Sequence, residues 1–306
     1  MKKLIKITAV ILIVAIAAVC VVMPYFSVSA VEGKLNYLLL GDSIAFGAGI
    51  VNPDEASYGK IVADTNDYNY KNCAVSGYNS TALLAHMLLP AVSDAIKEAD
   101  IISLSIGGND FLTSNMVRLG IEAGAFNNLE TFDDIAEDFY ENYCRIIAKI
   151  RELNPDAVIL AQTLYNPMHN PLNEIYQAGA DRLNAVYHRY LKENPKSIVI
   201  VDVGKAFEGH PEYIADDCVH PNSIGNEIIA KLVLKTLKEL GLGKTDVPII
   251  NVEGMDFGTY KIFKFAIEAI TAVADFFAPW FSALHIKKCL GLISQTEAVF
   301  FIQSMI

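Results

Sequence analysis

The sequence predicts a three-layer α/β domain built on a parallel β-sheet. Between residues 35 and 240, short apolar segments alternate five times with helical patterns, which is typical of parallel strands joined by crossover helices. Several of the apolar segments lack the alternation of a half-exposed strand, as expected when helices cover both faces of the sheet. The chain is 53% hydrophobic over 306 residues, which is enough to bury a large core.

Five strands are predicted from the apolar segments, and five helices from the stretches between and after them. The strands are residues 35–40, 68–73, 101–106, 157–163 and 197–203. The helices are residues 57–64, 80–98, 131–153, 171–193 and 223–240. In an open parallel sheet the functional loops leave the carboxyl ends of the strands. Polar residues that follow a predicted strand are therefore the first candidates for a functional site.

The N-terminal residues 1–30 are typical of a secretory signal peptide. They combine a basic start, an apolar run from Ile7 to Met23 and small residues just before position 31. An uncleaved N-terminal membrane anchor is an alternative, and so is lipid attachment at Cys20, although the branched Val19 before it fits a lipoprotein signal poorly. All three interpretations place the rest of the chain outside the cytoplasm, so we expect a secreted or cell-surface protein.

Residues 31–245 are predicted to form the α/β domain, and residues 246–306 a linker with a helical extension. In the extension, residues 261–278 are strongly apolar, and their few polar side chains fall on one narrow stripe of a helix. This pattern indicates packing on the α/β domain or on a second copy of the chain. Membrane association through residues 261–286 is the other interpretation.

The charge balance excludes a nucleic-acid-binding protein. The chain has 24 Lys and Arg against 35 Asp and Glu, for a formal net charge of −11, whereas a nucleic-acid binder needs a basic surface. The histidines are scattered, no CxxC pair occurs, and the phosphate-binding P-loop pattern is absent. We therefore expect neither a cofactor nor a metal.

Four polar motifs stand at or beyond the ends of predicted strands. They are GDS at 41–43, NCAVSG at 72–77, GGND at 107–110 and DDCVHPN at 216–222. Each motif alone is a common turn or helix cap. Together they supply the parts of a covalent acyl-transfer site, namely a nucleophile, a base, a carboxylate that orients the base, and donors for the developing oxyanion.

Ser43 is the candidate nucleophile, because it follows an apolar strand at a turn that can present its hydroxyl at the sheet edge. His220 is the candidate base. Asp217 lies three residues earlier, close enough to bond the ring nitrogen that faces away from Ser43, and Asp216 is an alternative that spacing leaves open.

Three groups are predicted to donate hydrogen bonds to the oxyanion. They are the backbone N–H groups of Ser43 and Gly77 and the side-chain amide of Asn109. Two glycines precede Asn109 and allow a tight turn. An uncharged amide suits this role, because it donates a hydrogen bond without any change in protonation.

The four motifs, in this order, resemble the blocks of the SGNH, or GDSL, hydrolase family over about residues 35–240. The resemblance implies a flavodoxin-like sheet with strand order 2-1-3-4-5 and a serine esterase or lipase-like acyl hydrolase activity. It also implies a catalytic triad of Ser43, Asp217 and His220 and an oxyanion hole of Ser43, Gly77 and Asn109.

Two residues depart from the family pattern. Ile44 replaces the leucine of GDSL, which conserves volume, and Tyr78 stands where many members carry aspartate, which leaves acyl selectivity near that loop open. Aromatic residues near the predicted strand ends are candidate walls of an acyl pocket, although such residues also belong to cores. They are Phe46, Tyr78, Phe111 and Tyr165.

The expected function is hydrolysis of a carboxylic ester, of a small molecule, glycan or lipid, through an acyl-enzyme on Ser43. An O-acetyl deacetylase acting on polysaccharide or cell wall is one alternative, and an acyltransferase with the same triad is another. A third is a non-catalytic surface-binding protein on the same fold.

Overall fold

The computed structural model describes residues 33–112, 129–168 and 173–250. A five-stranded, fully parallel sheet with strand order β2-β1-β3-β4-β5 forms its centre. The strands are β1 (Asn36–Gly41), β2 (Asn69–Asn72), β3 (Ile101–Ser105), β4 (Val158–Gln162) and β5 (Val199–Val201). The predicted α/β class, the five strands and the order 2-1-3-4-5 are confirmed.

Helices connect the strands and cover both faces of the sheet. Those of the described residues are α1 (Ser43–Phe46), α2 (Pro53–Ala56), α3 (Tyr58–Asn66), α4 (Ser80–His86), α5 (Pro90–Glu98), α6 (Gly108–Leu112), α7 (Glu130–Leu153), α8 (Asn173–Glu193), α9 (Val203–Phe207) and α10 (Ser223–Glu239). A 3₁₀ turn (Pro211–Tyr213) precedes α10.

The core consists of two apolar clusters, one on each face of the sheet. Along β1 the side chains of Leu38 and Leu40 join the cluster formed with α4, α5, α7 and α8. Those of Tyr37 and Leu39 join the cluster formed with α3, α9 and α10. Because alternate side chains of a strand point to opposite faces, β1 is buried on both of its faces. This explains the unbroken apolar run in the sequence.

The structure corrects the predicted helix over residues 80–98. Two helices, α4 and α5, occupy this segment, and Pro90 begins the second of them. Proline lacks an N–H and its ring clashes with the carbonyl four residues earlier, so it suits the first turn of a helix and interrupts the interior of one. Leu88 and Leu89, between the two helices, are exposed.

The segments at both ends of the chain lie outside the described residues. They include the predicted signal segment 1–30 and all but the first residues of the predicted linker and helical extension, with the polar stripe over 261–278 and the association segment 261–286. Within the ranges that the structure describes, no helix combines the length and apolar character needed to cross a membrane.

Candidate active site

Ser43 lies at the point where β1 turns into α1. Gly41 ends the strand with a φ of 128°, and a Cβ at this position would lie 1.8 Å from the carbonyl oxygen of Ser105 on β3. Only glycine permits this close approach. Asp42 caps the helix and Ser43 is its first residue, so the N–H of Ser43 has no carbonyl partner within the helix.

His220 and Asp217 lie on a tight loop that precedes α10. Ile214 pairs with Pro221 across the loop in an isolated antiparallel bridge. The N–H of Ala215 donates to the carbonyl of His220 at 2.7 Å. These backbone contacts close the loop and hold the imidazole and the carboxylate in a fixed relation to each other.

Ser43, His220 and Asp217 form a continuous chain of hydrogen bonds. Ser43 Oγ lies 2.8 Å from His220 Nε2, and His220 Nδ1 lies 2.6 Å from Asp217 Oδ2. An ionised carboxylate only accepts hydrogen bonds, so in the neutral ring Nδ1 carries the hydrogen and Nε2 accepts that of the Ser43 hydroxyl. All three side chains are buried. The arrangement is that of a nucleophile, a base and an orienting carboxylate.

The carboxylate that accepts the hydrogen bond from His220 belongs to Asp217 and not to Asp216, whose side chain is exposed. Burial raises the pKa of Asp217, but the hydrogen bond and charge of His220 and two backbone N–H donors lower it, and the net pKa lies below its usual range. The two donors are the N–H groups of Val219 and His220, each 2.9 Å from Oδ1. Asp217 is therefore ionised at neutral pH.

Gly77 lies in a turn that runs beside the end of β1. The N–H of Val75 donates to the carbonyl of Gly41 at 3.0 Å, and the N–H of Tyr78 donates to the carbonyl of Val75 at 3.3 Å. Gly77 is the third residue of this turn and has a φ of 85°, which glycine adopts without strain. It is exposed and does not line the cavity that contains Ser43.

Asn109 lines the same cavity as Ser43. Its Nδ2 donates to the carbonyl of Tyr78 at 2.9 Å, which links the loop after β3 to the loop that carries Gly77. Two of the three residues predicted to donate to the oxyanion, Ser43 and Asn109, therefore line one cavity. The third, Gly77, is attached to Asn109 through its neighbour Tyr78.

The cavity beside Ser43 has a volume of about 70 Å³ and mostly apolar walls. The apolar side chains that line it include Phe111, Leu112, Leu164, Tyr165, Tyr176, Ala180, Leu183 and Val219. Among the residues with described positions, no group of three or more His, Cys, Asp or Glu side chains is arranged to hold a metal ion.

Only two of the four aromatic residues predicted as walls line the cavity. Phe111 and Tyr165 do, whereas Phe46 and Tyr78 do not. Phe46 is 40% exposed on the solvent side of α1. The ring of Tyr78 packs edge-on against His86 of α4, with centroids 5.2 Å apart. Both residues follow the end of a strand closely in sequence. Phe46 belongs to α1, and the ring of Tyr78 is held against α4, so neither ring lines the cavity.

A comparison with known protein families singles out the same part of the chain. The GDSL-like Lipase/Acylhydrolase family matches residues 39–228, more than half of the chain. This range contains all the predicted site residues. The chain belongs to the GDSL-like lipase/acylhydrolase family. The resemblance predicted from the four motifs is confirmed, and the protein is an ester hydrolase of the lipase and esterase type.

The matches to similar proteins cover most of the length of those proteins. The chain is 31% identical over 220 residues to the uncharacterized protein YpmR of Bacillus subtilis, covering 67% of this chain and 82% of YpmR. It is 28% identical over 224 residues to the spore germination lipase LipC of Bacillus licheniformis, covering 69% and 99%. The crystal structure of the lipase Lip_vut3 from a goat rumen metagenome superposes with a TM-score of 0.54 at 26% identity, covering 69% and 99%.

In this GDSL-family chain, a carboxylate that the sequence analysis missed fixes the loop of Asn109. The N–H of Ser80 donates to Asp110 Oδ2 at 2.9 Å, and the Ser80 hydroxyl donates to Oδ1. Asn142 of α7 in turn donates to the Ser80 hydroxyl at 2.9 Å. Burial raises the pKa of Asp110, against the opposing effect of the Ser80 hydrogen bonds. The network holds the start of α6, and with it Asn109, against the start of α4.

Asp42, also missed, holds the turn of the nucleophile. Its Oδ1 accepts hydrogen bonds from the N–H of Ile44 and from the hydroxyl of Ser105, both at 3.0 Å. Burial raises the pKa of Asp42 to about 6, although these two bonds and the charge of His220 act in the opposite direction. The helix-capping preference of Asp before Ser43 is the sequence signal that could have identified it.

Asp42→Asn is expected to stabilise the fold at pH 8 by about 1–3 kcal/mol. The amide oxygen can keep both hydrogen bonds, and the cost of burying a charge disappears. The rise of the Asp42 pKa from 3.8 to about 6 corresponds to about 3 kcal/mol. A raised carboxylate pKa removes stability as pH rises from the unfolded pKa to the folded one, so the gain should vanish near pH 4.

Urea unfolding between pH 4 and pH 8 measures this effect. The matched control is Asp134→Asn, an exposed aspartate of α7, which should leave the pH dependence of the wild type unchanged. A gain in the Asp42 variant of equal size at pH 4 and pH 8 would contradict burial of the charge as its cause.

Proposed function

We propose that the protein is an exported serine carboxylesterase that acts through an acyl-enzyme on Ser43. The observation that carries this proposal is the hydrogen-bonded chain from Ser43 through His220 to Asp217. Ser43, at one end of these hydrogen bonds, lines a cavity that Asn109 also lines. Lipases among the similar proteins support the same class of reaction.

In the acylation step, Ser43 Oγ attacks the carbonyl carbon of the ester while His220 Nε2 takes the hydroxyl proton. The negative charge that forms on the carbonyl oxygen is stabilised by the N–H of Ser43 and the amide of Asn109, whose residues line the cavity, and the N–H of Gly77 stays the predicted third donor. As the bond to the alcohol oxygen breaks, His220 returns its proton to that oxygen. Asp217 keeps the ring in the required tautomer and stabilises the imidazolium.

In the deacylation step, water replaces the alcohol. His220 takes a proton from the water, the hydroxide attacks the acyl carbon, and the bond to Ser43 Oγ breaks as the proton passes to that oxygen. The products are the free acid and the original enzyme, so the cycle needs no redox partner.

Covalent labelling with a fluorophosphonate tests the nucleophile. The reagent should add to Ser43 in the wild-type protein, and peptide mass spectrometry should locate the adduct. A His220→Ala variant should label far more slowly, because the hydroxyl then lacks its base. Labelling of another serine, or ester hydrolysis by folded protein that resists the reagent, would overturn the assignment. A folded wild-type protein that neither labels nor hydrolyses would indicate a binding protein.

Export rests on the sequence of residues 1–30, with the basic start, apolar run and small residues before position 31. Expression of the full chain in a secreting bacterial host tests it. The expected product in the extracellular fraction begins at Val31 by N-terminal sequencing. An intact N-terminus in the membrane fraction would support an anchor instead, and an intact N-terminus in the cytosol would refute export.

A further inference from the structure

One wall of the cavity beside Ser43 is formed by α8 and the ring of Phe111. Tyr176, Ala180 and Leu183 of α8 line the cavity, and their spacing of four and three residues places them on one face of the helix. Phe111 comes from α6 and is 5% exposed. The size of the cavity therefore depends on how closely the Phe111 ring approaches α8.

The approach of Phe111 to α8 depends on Gly179. A Cβ at residue 179 would lie 2.9 Å from two carbons of the Phe111 ring, closer than any real contact. The ring is held elsewhere by Phe132, at 5.4 Å between centroids, and by an edge-on contact with Tyr176, also at 5.4 Å. The backbone at Gly179 is ordinary helix, so space, and not conformation, requires glycine here.

We propose that Gly179 determines the acyl-chain specificity of the enzyme by letting the Phe111 ring lie close to α8 and keep the cavity open. This inference rests on the proposed function. A cavity of about 70 Å³ with mostly apolar walls suits a short acyl chain. The described lining residues include no Lys, Arg or His that could pair with an anionic chain, and Asp42 is the one carboxylate among them, so the chain should be uncharged.

A methyl group at residue 179 would move the Phe111 ring into the cavity. Phe132 blocks movement toward the core, since it is 2% exposed and packed, and Tyr176 blocks a second direction. Among the described residues, the open space that the Phe111 ring borders is the cavity. Alanine has a higher helix propensity than glycine, so the substitution should leave α8 intact.

The experiment measures kcat/KM for p-nitrophenyl acetate, butanoate, hexanoate and octanoate. The wild type should prefer butanoate or hexanoate. Gly179→Ala should lower the ratio of hexanoate to acetate at least ten-fold, because the methylene groups of the longer acyl chain lose their burial in the narrowed cavity. The matched control is Asp181→Ala, an exposed position of the same helix, which should keep the wild-type profile.

A second variant tests the contact itself. Phe111→Leu should extend activity toward octanoate, and Gly179→Ala combined with Phe111→Leu should restore the hexanoate ratio, because the smaller side chain leaves room for the methyl group. A wild-type profile in Gly179→Ala, or no recovery in the double variant, would overturn the inference while leaving the esterase in place. A wild type that hydrolyses none of the four esters would instead overturn the proposed function, and the inference with it.

Discussion

Ser43→Ala is expected to lower kcat/KM for p-nitrophenyl butanoate by about 10⁶-fold, the size of loss that follows removal of a catalytic serine in other triad enzymes. The variant lacks the oxygen that forms the acyl bond, and neither His220 nor the oxyanion donors can supply one. Catalysis by those donors and by substrate binding alone should leave a residual rate of about 10³–10⁴ times that of water.

The Ser43 variant should keep its fold. It loses one hydrogen bond, to His220 Nε2, which alters the free energy of unfolding by about 1 kcal/mol. The matched control is Ser93→Ala on α5, where the hydroxyl bonds only the carbonyl of Pro90 within its own helix. Ser93→Ala should keep its rate within two-fold of the wild type. If Ser43→Ala also retains activity, another residue attacks the ester.

The strands and the long helices could be predicted because their signals are local. β1, β3 and β4 are buried on both faces, so their sequences are continuous apolar runs. The 24 residues of α7 repeat the helical pattern over many turns. By contrast, α1 and α6 have four and five residues, too few to show a period, and neither is among the five helices whose bounds were predicted.

The site was predictable to the extent that it follows the topology. Ser43 and Asn109 meet because β1 and β3 are neighbours in a parallel sheet and each residue follows the carboxyl end of one of them. The bonds between Asp42 and Ser105 and between Asp110 and Ser80 depend on side-chain packing between distant segments. No local pattern encodes such pairs, and the same is true of the contact between Gly179 and Phe111.

Asp217→Asn is expected to lower kcat/KM at pH 7 by about 10⁴-fold, the loss seen when a triad carboxylate becomes an amide. The amide oxygen can still accept from the N–H groups of Val219 and His220, as Oδ1 of the carboxylate does. The amide nitrogen then replaces Oδ2, and it donates a hydrogen bond to Nδ1 where the carboxylate accepted one.

The consequence appears at the other side of the imidazole. With Nδ1 accepting, the ring hydrogen of neutral His220 moves to Nε2, which then cannot take the proton of Ser43. The predicted loss is therefore in the chemical step, so kcat should fall while KM stays near that of the wild type.

Asp216→Asn is the matched control for Asp217→Asn, since it changes the same groups one residue away on an exposed side chain, and it should retain activity within about two-fold. Steady-state kinetics of the two variants with one ester shows which of the two carboxylates orients His220, a choice that the sequence spacing left open. Equal losses in both would mean that the loop as a whole, and not the bond from His220 Nδ1 to Asp217 Oδ2, supports the base.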